Sequence, residues 1–414
     1  MTPALFAKIF LAALLLSTTL QFWLTRRHMH HVARHRAQVP TDFAGSIGLD
    51  EHQKAADYTL AKSGLTQVEI LVDAALVLLM TLGGLLDYVD RNLDTAVGSG
   101  YLHGLLLFAV AALAGSMVGL PFSLWRTFRI EARFGFNKIT LRLWLLDLLK
   151  GTALSIALGA PLLLLVLWLM DAMGEHWWIH VWLVWMGFNL LVLFLYPTLI
   201  APIFNRFLPL QDDSLKLRIE ALLARCGFAV SGLFVMDGSR RSSHGNAYFS
   251  GFGRAKRIVF FDTLLDRLAP AEIDAVLAHE LGHFRHRHIL QRIVMLAVAS
   301  LAFLWLLAGL MNQAWFFEGL GVHHSGTAQA LLLFSLVVPV FLFPLAPLSA
   351  GLSRRHEYQA DAYAAQQTSA ADLVAALVKL YRDNAATLTP DPLHSLFHDS
   401  HPPAAARIAH LRAS

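Results

Sequence analysis

Seven stretches of this chain stay apolar for roughly the 20 residues that a helix needs to cross a bilayer. They lie at 9–25, 70–86, 101–125, 152–170, 178–204, 293–317 and 328–352. The second is the weakest, because Glu69 and Asp73 sit at its start. In lipid every backbone amide must be satisfied internally, so such a pattern demands a bundle or ring of helices. The basic residues orient it. Of 33 Lys and Arg, 31 fall in alternate connections and after the seventh span, leaving only Lys8 and Arg91 for the other side. By the positive-inside rule the amino terminus is expected outside, with both large polar segments cytoplasmic. A cleaved signal peptide would strand Arg26, Arg27, Arg34 and Arg36 outside, and Gln21-Phe22 offers no small-residue cleavage site.

Composition narrows the function. Charged residues make up 15% of the chain, against about 25% in soluble domains, which excludes an ordinary cytosolic enzyme and a disordered chain alike. A net charge of +4 is too small to suggest nucleic acid. Cys226 stands alone, so an internal disulfide and a thiolate metal cluster are both excluded. The expected architecture is mainly α: five spans in 1–204, a catalytic segment in 205–292, two spans in 293–352 and a second catalytic segment in 353–414. Within the first polar segment, 215–226 reads as a helix and 233–236 as a strand. Residues 247–249 and 257–261 read as a hairpin turning at Gly251 and Gly253.

Chemistry concentrates in Ala271-Glu-Ile-Asp-Ala-Val-Leu-Ala-His279-Glu280-Leu-Gly-His283. Pro270 suits the first position of a helix and Glu272 its first turn. On that helix His279 and His283 stand one above the other, able to offer two imidazole nitrogens to one ion. Glu280 is turned about 100° aside, beside a metal-bound water instead of on the metal. This is the His-Glu-x-x-His arrangement of zinc hydrolases. The bland alternative is a helix with ordinary surface histidines. A catalytic zinc needs one more protein ligand and an open corner. Glu357, in Ser353-Arg-Arg-His-Glu357-Tyr-Gln-Ala-Asp361, stands out on the same face of the membrane. Its alternative is a surface ion pair with Arg354. Asp361, one turn later, suits a hydrogen bond to a ligand imidazole. Glu280 would take the proton of the attacking water and deliver it to the leaving amine. His401 and Arg407 are candidate donors to the charged intermediate.

Taken together these residues resemble the type I CAAX prenyl proteases, integral-membrane zinc metalloendopeptidases of the gluzincin class. The resemblance runs through Arg241-Ser-Ser-His244-Gly-Asn246-Ala-Tyr248-Phe, 256–265, His279 to His283, Ser353 to Asp361 and Ser400 to Arg407. It implies one Zn2+ per chain on His279, His283 and Glu357, with Glu280 as the catalytic carboxylate. Asn246, His401 and Arg407 match positions near the substrate and the reaction intermediate. It also implies a seven-helix barrel around a water-filled chamber onto which the zinc site faces. The expected partners are a peptide or protein substrate, prenylated or membrane-bound, and the lipid bilayer, with the chain acting as a monomer. The chain lacks the long insertions and carboxy-terminal retention signals of eukaryotic members, and so resembles a bacterial one in the inner membrane. Bacteria do not generally prenylate proteins, which leaves the substrate class open.

Weaker signals read as follows. His28, His30, His31 and His35 form a basic, lipid-facing stretch. His286 and His288 are juxtamembrane residues between Arg285, Arg287 and the sixth span. The strand at 247–249 is either an edge that pairs with an extended substrate or part of a structural hairpin. Two rival functions stand beside CAAX processing: quality-control proteolysis of membrane proteins, and a transporter or scaffold whose zinc is structural.

Overall fold

The computed structural model describes residues 1–250 and 257–413. Among these, seven helices are long and apolar enough to cross a membrane: the chain is an integral membrane protein. Their labels follow chain order: α1 (Pro3–His35), α2 (Leu49–Met80), α4 (Tyr101–Trp125, in a span that runs on to Phe134), α5 (Leu141–Ala172), α6 (Trp177–Leu195, in a span from Gly174 to Phe204), α9 (His288–Leu310) and α10 (Thr327–Leu342, whose span continues to Gln367). A shorter α3 (Leu85–Val97) follows α2. In chain order each spanning helix packs against the next, and α10 returns to α1. A ring closed in this way encloses space. The most apolar window of each spanning helix is only 0–28% buried, so each wall helix meets its neighbours along a narrow stripe. The result is a barrel around a chamber.

One end of the barrel is closed. Phe10 at the start of α1, Met80 at the end of α2, Leu107 early in α4, Leu167 late in α5, Leu307 late in α9 and Leu333 early in α10 belong to one buried apolar cluster. Because the spans alternate in direction, all six lie at the same end. α3 packs on α4 and α2 there. Its buried Asp90 accepts a hydrogen bond from Gln329 Nε2 at 2.6 Å, and its Asp87 one from the His323 N–H at 2.8 Å. The opposite end carries the polar domain.

Two expected boundaries move. The second span was placed at 70–86, but its helix starts at Leu49 and ends at Met80. Its charged first turns leave the membrane plane and pack on α1, with Arg36 and Asp57 in a bidentate ion pair. An apolar-run reading sees only the lipid-exposed part of such a helix. The sixth span was expected to continue to 317, but α9 stops at Leu310. Phe316 and Phe317 belong to a separate short helix and are buried in the closed end, where Phe316 meets Phe6.

The polar domain is built on a four-stranded sheet of order β1-β2-β4-β3: β1 (Phe207–Pro209), β2 (Gly232–Met236), β3 (Ala247–Ser250) and β4 (Arg257–Phe261). β2 and β4 are parallel, while β1–β2 and β3–β4 are antiparallel. β3 is therefore an edge strand. The expected turn glycines, Gly251 and Gly253, lie outside the described residues. Helices α7 (Asp213–Arg225), α8 (Pro270–Arg285) and α12 (Ala370–Asp383) cover the sheet. Ile219, Ile258, Phe260, Leu277, Leu281 and Leu377 form their common core. α11 (Ala346–Gln367) continues from α10, and α13 (Pro392–His398) and α14 (Ala404–Ala413) complete the domain. Arg241 bolts domain to barrel. It donates to both Asp147 oxygens, at 2.9 and 3.0 Å, and to the Phe204 carbonyl at 2.6 Å.

The basic cluster after the first span is not lipid-facing as a group. His28 is 5% exposed, stacks on His394 with ring centroids 4.2 Å apart, and accepts from the Asp391 N–H. Arg27 donates to both oxygens of the buried Asp391. A segment some 360 residues away in sequence, at the head of α13, buries His28, while Arg27, His30 and His35 stay exposed.

Candidate metal centre

α8 begins at Pro270, where the Glu272 carboxylate accepts the Ala269 N–H at 2.7 Å and ties to Lys379 of α12. Ile273, Leu277 and Leu281 fix its inner face in the domain core. That rotation turns His279 and His283 towards α11. The two helices meet at Gly282. A Cβ there would lie 2.8 Å from the Ala360 Cα, so the absent side chain is what lets α11 come close. Gly282→Ala is expected to destabilise the protein by about 1–3 kcal/mol through overpacking and to weaken any metal held between α8 and α11. Thermal unfolding and chelator competition measure the two effects. Unchanged metal affinity would show that this helix spacing does not govern the site.

Across that contact the structure brings His279, His283 and Glu357 together. His283 Nε2 lies 3.3 Å from His279 Nε2, and the Glu357 oxygens lie 3.4 Å from His279 Nε2 and 3.5 Å from His283 Nε2. Ligand atoms about 2.1 Å from a tetrahedral ion stand about 3.4 Å apart, so the three donors already have the spacing of a coordination site. Glu357 is 3% exposed, and its Oε2 has no hydrogen-bond partner. Such an orphaned buried carboxylate oxygen is costly unless a cation satisfies it. The Arg354 alternative for Glu357 fails. Arg354 instead donates to the carbonyls of Ser395, Leu396 and Asp399, holding the segment that leads to His401.

Around the three donors lie the other expected residues. Asp361, fully buried, stands 2.8 Å from His279 Nδ1. Arg407 of α14 donates to both Asp361 oxygens at 2.8 and 2.5 Å, and its Nη1 is 3.9 Å from Glu357 Oε2. His401 Nε2 is 3.5 Å from Glu357 Oε1. Glu280 is partly buried and stands outside the three-residue group. Asn246 is exposed at the head of β3; its side-chain oxygen accepts the Ala247 N–H, and no hydrogen bond or ion pair joins it to the group among the described residues.

The electrostatics favour positive charge between the ligands. Burial opposes a charged ring at His279, yet the Asp361 and Glu357 carboxylates hold its pKa at about 9. Burial and the neighbouring His279 push His283 down to about 3. One cation on the pair is stabilised and two are not, as befits a place for a single ion. Burial raises the Glu280 carboxyl above its usual range, although the neighbouring His279 opposes the shift. No fourth His, Cys, Asp or Glu joins the group among the described residues. That leaves a corner open, where a structural zinc would be closed.

Two residues were missed. His288, expected to be merely juxtamembrane, lies against His283, and Gln359 lies against His288. The sequence hint was the histidine-rich run after His283, but spacing alone gave no reason to fold it back.

Comparison with known proteins identifies the family. Residues 28–206 match the family described as CAAX prenyl protease N-terminal, five membrane helices, and residues 209–414 match peptidase family M48. The chain is 37% identical to the CAAX prenyl protease 1 homolog of Arabidopsis thaliana over 388 residues, 89% of each chain. It is 36% identical to CAAX prenyl protease 1 of Saccharomyces cerevisiae, covering 75% of this chain and 72% of that one. The crystal structure of S. mikatae Ste24p superposes with a TM-score of 0.92 at 29% identity, over 98% of this chain and 99% of that one. The chain belongs to the CAAX prenyl protease 1 group of peptidase family M48.

Proposed function

We propose that this metallopeptidase is a membrane-embedded zinc endopeptidase acting on the carboxy-terminal region of prenylated, CAAX-type proteins or peptides. One Zn2+ is held by His279, His283 and Glu357. The observation that carries the reading is the set of 3.3–3.5 Å spacings among three buried or half-buried donors, with no fourth such donor among the described residues. An ion bound there supplies Lewis-acid polarisation of a carbonyl and eases the ionisation of water. Glu280 accepts the proton of the attacking water and returns it to the leaving amide nitrogen. Arg407 and His401 stabilise the negative charge that develops on the carbonyl oxygen, a role supported by their lying 3.9 and 3.5 Å from Glu357. Asp361 receives the His279 Nδ1–H and so keeps Nε2 free for the metal. Asn246 and the free edge of β3 receive the extended peptide backbone, an arrangement supported by the strand order. The polar domain faces the cytoplasm and the amino terminus lies outside, supported by the one-sided distribution of Lys and Arg.

The test uses purified full-length protein with a farnesylated CAAX peptide and its unmodified counterpart. Chelation is expected to abolish cleavage, stoichiometric zinc to restore it, and the farnesylated peptide to be preferred. Cleavage that survives complete metal removal would overturn the mechanism. Equal rates on both peptides would turn the reading to quality-control proteolysis.

A further inference from the structure

His283 has a second nitrogen, and the structure gives it a partner. His283 Nδ1 lies 2.9 Å from His288 Nδ1, and His288 Nε2 lies 2.9 Å from Gln359 Oε1. On an unbroken helix, residues five apart point about 140° away from each other and do not meet. The chain breaks α8 to achieve the contact. Arg287 adopts φ +56°, a left-handed conformation that a non-glycine residue rarely takes, and α9 restarts at His288. His288 is 1% exposed and stacks on His356, with ring centroids 4.0 Å apart and planes within 10°. His356 is pinned in turn by Gln291, whose Oε1 lies 2.9 Å from His356 Nε2.

We propose that His288 and Gln359 are positioning residues that fix the tautomer and aim of His283. The proposal rests on the reading of His283 as a metal ligand. If His283 Nε2 gives its lone pair to the metal, its Nδ1 must carry the proton and donates it to His288 Nδ1. His288 then has its own proton on Nε2, which donates to the Gln359 amide oxygen. The Gln359 oxygen that faces His288 can only accept, so with the amide in this orientation the relay has one proton arrangement. His279 is aimed by Asp361 and His283 by a neutral chain. Asp361 and Gln359, like Glu357, come from α11, so this one helix supports all three donors, reaching His283 through His288 of α9. Neutrality matters beside a site that already holds the Glu357 and Asp361 carboxylates. An imidazole–amide pair orients the second ring without adding a third negative charge.

Zinc dissociation constants by chelator competition, together with kcat and KM, test this on the full chain. His283→Ala is the reference and is expected to lose zinc. His288→Leu keeps bulk against His356 but accepts no hydrogen bond; it is expected to weaken zinc by about 10- to 100-fold and to lower kcat more than it raises KM. His288→Asn places an amide oxygen where Nδ1 stood, and is expected to recover most of that loss. Gln359→Leu is expected to weaken zinc in the same direction as His288→Leu. Parental zinc affinity in His288→Leu, or equal losses in the Leu and Asn variants, would overturn the relay while leaving the ligand set standing. Parental affinity in His283→Ala would instead overturn the ligand set, and the relay with it.

Discussion

Glu280→Gln is expected to leave zinc stoichiometry at the parental level while peptide hydrolysis falls by about 10²–10⁴-fold. The two halves of this expectation have separate structural grounds. Retention of metal follows from helix geometry: Glu280 neighbours His279 in sequence but points about 100° away from it around the axis, and it is outside the three-donor group. Loss of activity follows from chemistry. Burial, with the nearby Glu357 charge, lifts the Glu280 carboxyl above its ordinary range, although His279 pulls the other way. A carboxylate with a raised pKa is the better proton acceptor, and the acid so formed holds the proton until the departing amine, a stronger base, takes it. Glutamine fills the same volume and cannot do either. Elemental analysis of the purified variant and chromatographic assay of cleavage measure both halves. Cleavage within about tenfold of the parent would assign proton transfer to another group, since general-base catalysis is rarely worth so little.

The parts of this site that could be read from sequence are those fixed by local geometry or by scarcity. His279, Glu280 and His283 lie within one and a half helical turns, so their mutual placement needs no knowledge of the fold. Glu357 stood out because the chain has few glutamates and most lie on the wrong side or in other loops, and the structure then supplied what sequence could not: the Gly282–Ala360 approach that carries it to the two rings. The spans were legible because lipid imposes a composition on them. Where a helix leaves lipid, as α2 does before residue 70, that signal vanishes and the boundary was misplaced. His28 and His288 failed for a related reason. Each looks like a juxtamembrane basic residue until a distant or refolded segment covers it, Asp391 and His394 in one case and the turn at Arg287 in the other. No periodicity reports contacts of that kind.

Arg407→Leu is expected to destabilise the metal-stripped protein by up to about 3–5 kcal/mol, because it takes the forked guanidinium from a buried carboxylate and leaves it His279 alone. Arg407 is 6% exposed and forks onto both oxygens of Asp361, which is itself 0% exposed. Taken alone, Asp361→Asn should also be costly, since it strands the guanidinium. The double variant removes both charges and is expected to cost clearly less than the two single changes together. Denaturant unfolding of the four proteins measures this coupling. Arg407→Lys separates structure from catalysis, because lysine keeps the charge near Glu357 but cannot fork onto a carboxylate. Its stability is expected to fall between parent and Leu variant, with a larger share of activity retained than stability alone would suggest. A Leu variant of parental stability that is nevertheless inactive would mean that Arg407 serves the substrate alone and that its fork onto Asp361 anchors nothing. The pair would then be a by-product of catalytic placement and not the anchor that ties the last helix to the metal site.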